Sequence, residues 1–241
     1  MEKKRLLNIQ ARVRQRVKYN IMSKELFGNL RLISSFAVIL PLLIALWKYN
    51  RLHKMQRKLM YLLLTTLVVE SISNILWYQK INNLPVYHFY SIIEFVLIVN
   101  IYKDELNKLL PKRFFYVLII MFSSFAIVNM CYFQSLWTFN SNATTLLGLL
   151  VIFLSLSYFY ALLKEVKYSA LEQNSMFWLN AGFLIYFSSN LILFFINNTM
   201  FEDPNAKANE VSYLLWGLHA IVNIILTIFY TISVWVNPKQ Q

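Results

Sequence analysis

Residues 66–98 read TLVVESISNILWYQKINNLPVYHFYSIIEFVLI. Two apolar runs meet here through a short polar turn, and each carries one glutamate near its middle, Glu70 and Glu94. A charged group at the centre of a membrane helix costs about 2.5–3.5 kcal/mol on insertion scales. A carboxylate is therefore rare in such a run unless it faces the protein interior, a partner or a water-filled cavity. The stretch implies helices that cross a membrane and an interior polar enough to hold two acids.

The remainder of the chain fits that frame. Of its 241 residues 58% are hydrophobic, 17% aromatic and only 14% charged, against about 25% charged in a soluble domain. The charges fall in short clusters. Between them lie apolar stretches at 32–47, 59–78, 86–102, 114–132, 144–163, 176–196 and 211–236. Stretches of roughly 20 residues match a hydrocarbon core about 30 Å thick. They are expected to be helical, because the bilayer core offers no water to unpaired backbone groups. The expected fold is an all-α membrane protein, a seven-transmembrane-helix bundle forming one domain over 25–238. The loops, roughly 7–14 residues by these boundaries, make sequential helices antiparallel neighbours. The single cysteine, Cys131, falls inside the fourth stretch and reads as a small packing residue. The first apolar run carries no small-residue cleavage site and is expected to stay as a helix.

The net charge of +12 is explained without nucleic acid, since positive loop residues fix orientation in a membrane. The first, third and fifth loops carry Lys48, Arg51, Lys54, Arg57, Lys58, Lys103, Lys108, Lys112, Arg113, Lys164 and Lys167, whereas the even-numbered loops carry only Lys80 and Lys207. This places the N-terminus outside and the C-terminus inside. Residues 1–24 oppose it, with eight Lys and Arg among apolar residues at helical spacing. They read as a basic tail suited to a membrane surface. Met22 just before the first apolar helix suggests that residues 1–21 are an upstream extension. Ser73–Asn74 followed by Asn82–Asn83, and Ser189–Asn190 followed by Asn197–Asn198, are compatible with a parallel 3+1+3 repeat. With only four glycines and no GxxxG, close packing is expected to use pairs such as Ser34–Ser35 and Ser188–Ser189. Pro41 is expected to kink the first helix without breaking it.

Polar residues agree in depth across four helices. Glu70 and Asn74 are one turn apart on one face of the second helix, and Tyr90 and Glu94 on one face of the third. Ser189 and Asn190 occupy the outer half of the sixth. His219 and Asn223 occupy one face of the seventh. Together they form the expected pocket, with His219 a candidate partner for the acids. Asn129 and Asn180 read instead as helix-to-helix hydrogen bonds, worth about 0.6 kcal/mol each, and His88 as an interfacial residue.

Several chemistries are excluded. A retinal protein needs a lysine in its last helix, and 211–236 holds none. A seven-helix zinc hydrolase needs several histidines, and of the three present His53 lies on the opposite side from His88 and His219. No GxSxG elbow, phosphate-binding glycine loop or cysteine pair occurs. No catalytic residue, metal ligand or cofactor is expected, and the chain does not read as an enzyme.

The segments FWLNAGFLIYFSSNLILFFI at 177–196, LHAIVNIILTIFYTISVW at 218–235 and NNLPVYHFYSIIEF at 82–95 resemble a group of uncharacterised bacterial seven-helix membrane proteins. The resemblance implies a multi-pass protein of the bacterial inner membrane and no particular activity. The expected function is a sensory or receptor-like module. It binds a small or amphipathic ligand, or protons, in the outer-half pocket and signals to a cytoplasmic partner. A transporter for a small solute or proton and a structural subunit of a membrane complex are the alternatives. Expected partners are the lipid bilayer, a cytoplasmic signalling protein and a small ligand of unknown identity, with no nucleic acid. A reporter enzyme that works only in the cytoplasm is expected to be active when fused after Val236 and silent when inserted within 198–209; reversed activities would put the pocket in the inner half.

Overall fold

The computed structural model describes residues 27–164, 171–201 and 206–236. Among them are seven helices long and apolar enough to cross a membrane. These are α1 (Phe27–Trp47), α2 (Lys54–Tyr78), α3 (Leu84–Glu105), α4 (Lys112–Phe133), α5 (Ser141–Lys164), α6 (Ser175–Phe201) and α7 (Ala206–Trp235). No strand occurs among the described residues. This is the architecture of an all-helical, multi-pass membrane protein. The expected basic tail lies outside the described residues.

Most of the helices overrun their apolar stretches by a few residues, so the connections are shorter than expected. A helix continues past the hydrocarbon until a capping group or a proline stops it. Gln56 Oε1 accepts from the His53 amide at 3.0 Å at the start of α2, and proline stands in the first turn of α3. Lys80, at φ 60°, ends α2. Its amide bonds the Trp77 carbonyl at 3.0 Å and the Ile81 amide reaches back to Leu76 at 2.9 Å. That pair is a Schellman closure, usually built on glycine. The resulting tight turn sets α2 and α3 side by side and brings the two glutamate helices together.

Six helices form a closed ring in the order α1, α2, α3, α5, α6, α7, with α7 returning to α1, and α4 packs outside against α3 and α5. Side chains pointing away from the ring are apolar and exposed, for example Leu43, Ile120, Met121 and Leu156, as a lipid-facing surface requires. Within the ring, the half nearer the lysine-rich loops is filled by Leu59, Leu63, Ile98, Ile101, Tyr102 and Leu154. Water does not drive association between helices in lipid, so contact and interhelical hydrogen bonds must. The Tyr102 hydroxyl donates to Asn180 Oδ1 at 2.6 Å and lies 2.8 Å from Ser155 Oγ, joining α3, α5 and α6. Gln56 Nε2 meets Ser175 Oγ at 2.9 Å and the Ser233 and Val236 carbonyls at 2.9 and 2.8 Å. Lys48 Nζ caps the Trp235 carbonyl at 2.5 Å. The end of α7 is thus held by side chains from elsewhere in the fold.

Pro41 does more than kink α1. Without a proline N–H, Ala37 lacks its ladder partner, and residues 37–38 open into a turn between helical segments 27–36 and 39–47. The turn is spanned by Ala37 N to Ser34 O at 3.4 Å and Leu40 N to Ala37 O at 3.3 Å, and the ladder resumes with Leu42 N to Val38 O at 3.2 Å. Two other expectations are corrected. Cys131 is exposed in a π-turn ending α4. His88 is 1% exposed, covered by the α4–α5 loop, where its Nε2 lies 3.0 Å from the Thr138 carbonyl.

Gly182 on α6 faces α7, where an added Cβ would stand 2.7 Å from Phe229 Cβ. At Gly148 the nearest atom would be a flexible leucine methyl at 3.4 Å. Gly182→Ala is therefore expected to destabilise the protein by about 1–3 kcal/mol through overpacking, and Gly148→Ala to change little, read as thermal midpoints in detergent. Equal midpoints would show that the α6–α7 seam is looser than described.

Candidate functional site

The half of the ring nearer the lysine-poor loops is not filled. It holds a cavity of about 1200 Å³. Helical spacing builds its walls. On α1, Phe27, Arg31, Ser34 and Val38 recur at three to four residues; on α2, Thr66 and Glu70; on α3, Tyr87, Tyr90 and Glu94; on α7, Trp216, His219, Asn223 and Tyr230. Tyr186 and Phe194 of α6 complete the ring, and the α4–α5 loop lies over it. That loop is held by Asn82 Nδ2 donating to the Trp137 carbonyl at 2.9 Å and Asn140 Nδ2 donating to Ser91 Oγ at 3.0 Å.

The acids differ in their support. Glu70 ends a directed chain: Asn83 Nδ2 donates to Ser73 Oγ at 2.6 Å, Ser73 lies 2.8 Å from the Tyr87 hydroxyl, and Tyr87 donates to Glu70 Oε1 at 3.3 Å. The Ser35 hydroxyl bonds the same carboxyl group. Arg31 stands beside it, donating through Nη1 to Asn74 Oδ1 at 3.0 Å with its guanidinium 4.0 Å from the Trp77 ring centre. Asn74 Nδ2 is committed to the Glu70 carbonyl at 2.8 Å, so its oxygen is free for Arg31. Among the described residues, Glu94 has only the Tyr90 hydroxyl, at 3.4 Å, as a side-chain hydrogen-bond partner.

His219 does not bond either acid. Asn190 Nδ2 donates to the Tyr186 carbonyl at 2.8 Å, which leaves Asn190 Oδ1 to accept from His219 Nδ1–H at 2.9 Å. This donor count fixes the tautomer and leaves Nε2 of the neutral ring an acceptor. The imidazole sits among Tyr186, Phe194 and Trp216, with ring centres 5.8, 6.0 and 5.1 Å away. Asn223 Nδ2 donates to Ser34 Oγ at 2.9 Å and ties α7 to α1.

No family model, curated protein or solved structure matches the chain. The chemistry of the cavity is carried by its own residues.

Of the residues expected at the site, Glu70, Tyr90, Glu94, His219 and Asn223 line the cavity. Asn74 and Asn190 stand behind it and position Arg31 and His219. Ser189 is exposed, as is Ser188, because both fall on the far side of α6 from Asn190; the expected packing role of that pair is corrected with it. Asn129 bonds Gln134 and Asn142, each at 2.9 Å, and Asn180 bonds within the core, as expected of interhelical links. Sequence reasoning missed Arg31, because the first helix was taken to begin after it. It also missed Tyr87, Tyr186 and Tyr230. The three-to-four-residue spacing of Tyr87, Tyr90 and Glu94 is a signal that could have found the first of these. Among the described residues no three His, Cys, Asp or Glu side chains are placed to hold a metal ion.

Asn190→Ala strips His219 Nδ1–H of its acceptor inside a packed aromatic cluster. It is expected to cost about 1–3 kcal/mol, as an orphaned donor does, whereas Ser189→Ala should stay within about 0.5 kcal/mol, as an exposed substitution does. Thermal midpoints in detergent compare the two, and an equal loss would put Ser189 back in the site.

Proposed function

We propose that this chain is a receptor-like membrane module that takes a small or amphipathic ligand into the cavity from the lysine-poor side and signals to a partner at the lysine-rich side. The single observation that carries this reading is that the cavity is one-ended. It runs from the α4–α5 loop down to Thr66, Glu94 and Tyr230 and stops against Leu59, Leu62, Leu63 and Ile98, each at most 1% exposed. α7 supplies a route for the output. Trp216 to Tyr230 line the cavity, and a few residues further on the same helix is clasped by Gln56 and Lys48 at the lysine-rich end. A ligand that shifts α7 therefore works directly on that clasp.

The loop charges support an orientation with the N-terminus outside and the C-terminus inside, which makes the cavity outward-facing. With the likeness to uncharacterised bacterial proteins, they support a place in the bacterial inner membrane. The absence of a nucleophile, phosphate loop or redox pair from the sequence supports a role other than catalysis. The transporter reading keeps one specific observation in its favour. α1 is discontinuous beside the cavity, and the ring order places α1–α2–α3 and α5–α6–α7 as two triplets with α4 outside, an arrangement suited to a 3+1+3 repeat.

In a Cys131→Ser background and sealed vesicles of known orientation, a membrane-impermeant maleimide is expected to label Ser34→Cys from the lysine-poor side only. Ser233→Cys, fully buried in the closed half, is expected to resist from both sides. Labelling of Ser233→Cys from the lysine-rich side would show access through both faces and replace the receptor by a transporter. Protection of Ser34→Cys from both sides would leave the acids as helix links and favour the structural subunit.

A further inference from the structure

We infer that the cavity binds the ammonium group of an amphipathic organic amine, with the Glu94 carboxylate as its counter-ion and the Tyr90, Tyr186 and Tyr230 rings around it. The inference rests on the ligand-binding reading above and names the class of ligand.

The first ground is a proton count. Thr66 Oγ1 lies 2.9 Å from the Leu62 carbonyl, to which it donates, and 2.8 Å from the Tyr90 hydroxyl. The single Tyr90 proton therefore faces two acceptors, Thr66 Oγ1 at 2.8 Å and Glu94 Oε1 at 3.4 Å, and the Glu94 contact is the longer. Glu94 is then an acid lining a cavity with one long, shared donor among the described side chains. Glu70, by contrast, receives the Asn83–Ser73–Tyr87 chain and stands beside Arg31. A group with several N–H donors supplies what Glu94 lacks.

The second ground is charge. Among the described residues, Arg31 is the only Lys or Arg in the cavity lining. It lies at the mouth beside Glu70, with Nη1 on Asn74 and the guanidinium over Trp77, while its buried Nη2 has no hydrogen-bond partner among the described residues. Lys58, a further cation on α2, pairs with Asp104 at 2.7 Å in the lysine-rich half. Among the described residues, the floor of the cavity therefore has an acidic side chain and no Lys or Arg. The third ground is the ring set. Tyr186 and Tyr230 line the same cavity and lie within electrostatic reach of Glu94. An ammonium flanked by a carboxylate and aromatic faces gains from both, and cation–π contacts strengthen as water is excluded. His219 Nε2 adds an acceptor and no positive charge. Finally, the volume of about 1200 Å³ exceeds the roughly 300–1,000 Å³ of ordinary ligand pockets. Val38, Phe194 and Leu226 in its lining leave room for an apolar body behind the charged head.

The test uses the full chain in maltoside micelles, which contain no amine, and three probes with one body: 2-phenylethylammonium, 2-phenylethanol and phenylacetate, titrated calorimetrically. The cation is expected to bind at least about tenfold more tightly than the alcohol, the step that 1.4 kcal/mol represents, and phenylacetate most weakly. Glu94→Gln is expected to bring cation and alcohol within about twofold of each other. Tyr230→Leu is expected to weaken the cation and Tyr230→Phe to preserve it. Equal binding of cation and alcohol by the wild-type chain, or a preference that survives Glu94→Gln, overturns the inference and leaves the ligand cavity standing. Tighter binding of phenylacetate overturns it in favour of Arg31 as the recognising group. No binding by any probe also overturns it, and labelling of Ser34→Cys then decides separately whether the receptor reading survives. The wild-type probe comparison holds even where a variant fails to fold.

Discussion

The seam between α7 and α1 makes a cavity out of what would otherwise be a cleft. Five of the six ring contacts join helices that the chain either connects directly or brings together across α4. The sixth joins the first helix to the last and must be held by side chains alone. Asn223 donating to Ser34 at 2.9 Å lies at cavity depth, and Lys48 capping the end of α7 lies at the opposite end. An interhelical hydrogen bond in lipid is worth about 0.6 kcal/mol on average, so neither contact closes the ring by its strength. The Asn223–Ser34 contact works by giving part-buried polar groups a partner, and Lys48 by capping the exposed end of α7.

The two halves of the ring solve the problem of interior polarity differently. Towards the lysine-rich loops, Gln56, Tyr102, Ser155, Asn180 and Ser233 are buried and mutually satisfied. Such fully paired networks specify a single packing. Towards the lysine-poor loops the groups face a cavity and their pairing is graded, fuller around Glu70 and sparse around Glu94. The outward surface is largely apolar in both halves, so the asymmetry is internal.

The seven crossings were legible because hydrophobic length is a one-dimensional property. A charge-poor run of about 20 residues has few other solutions. The depth agreement of Glu70, Glu94, His219 and Asn223 was legible for the same reason, since depth follows from position along a helix. Rotation about each helix axis was not. It decided that Asn190 faces inward and Ser189 outward, although they are adjacent. It also decided that His219 turns to Asn190 rather than to the acids. Arg31 escaped because it precedes the apolar run that marks the first helix, and a cation at that position looks like a boundary until the cation–π stack on Trp77 is seen. The break at residues 37–38 followed from Pro41 in kind but not in degree, because whether a freed carbonyl is recaptured depends on neighbours the sequence does not order.

That break divides α1 into two bodies with different allegiances. Residues 39–47 pack on α2 and α7 in the filled half, while residues 27–36 carry Arg31, Ser34 and Ser35 into the cavity wall. A continuous helix bends only by stretching its main-chain ladder on one side. Here that ladder is already interrupted, so a change of angle between the two segments sacrifices almost no main-chain hydrogen bonding. Mechanically, one wall of the cavity is a panel on a hinge. Its position is set by what its side chains touch, Arg31 on Asn74 of α2 and Ser34 on Asn223 of α7.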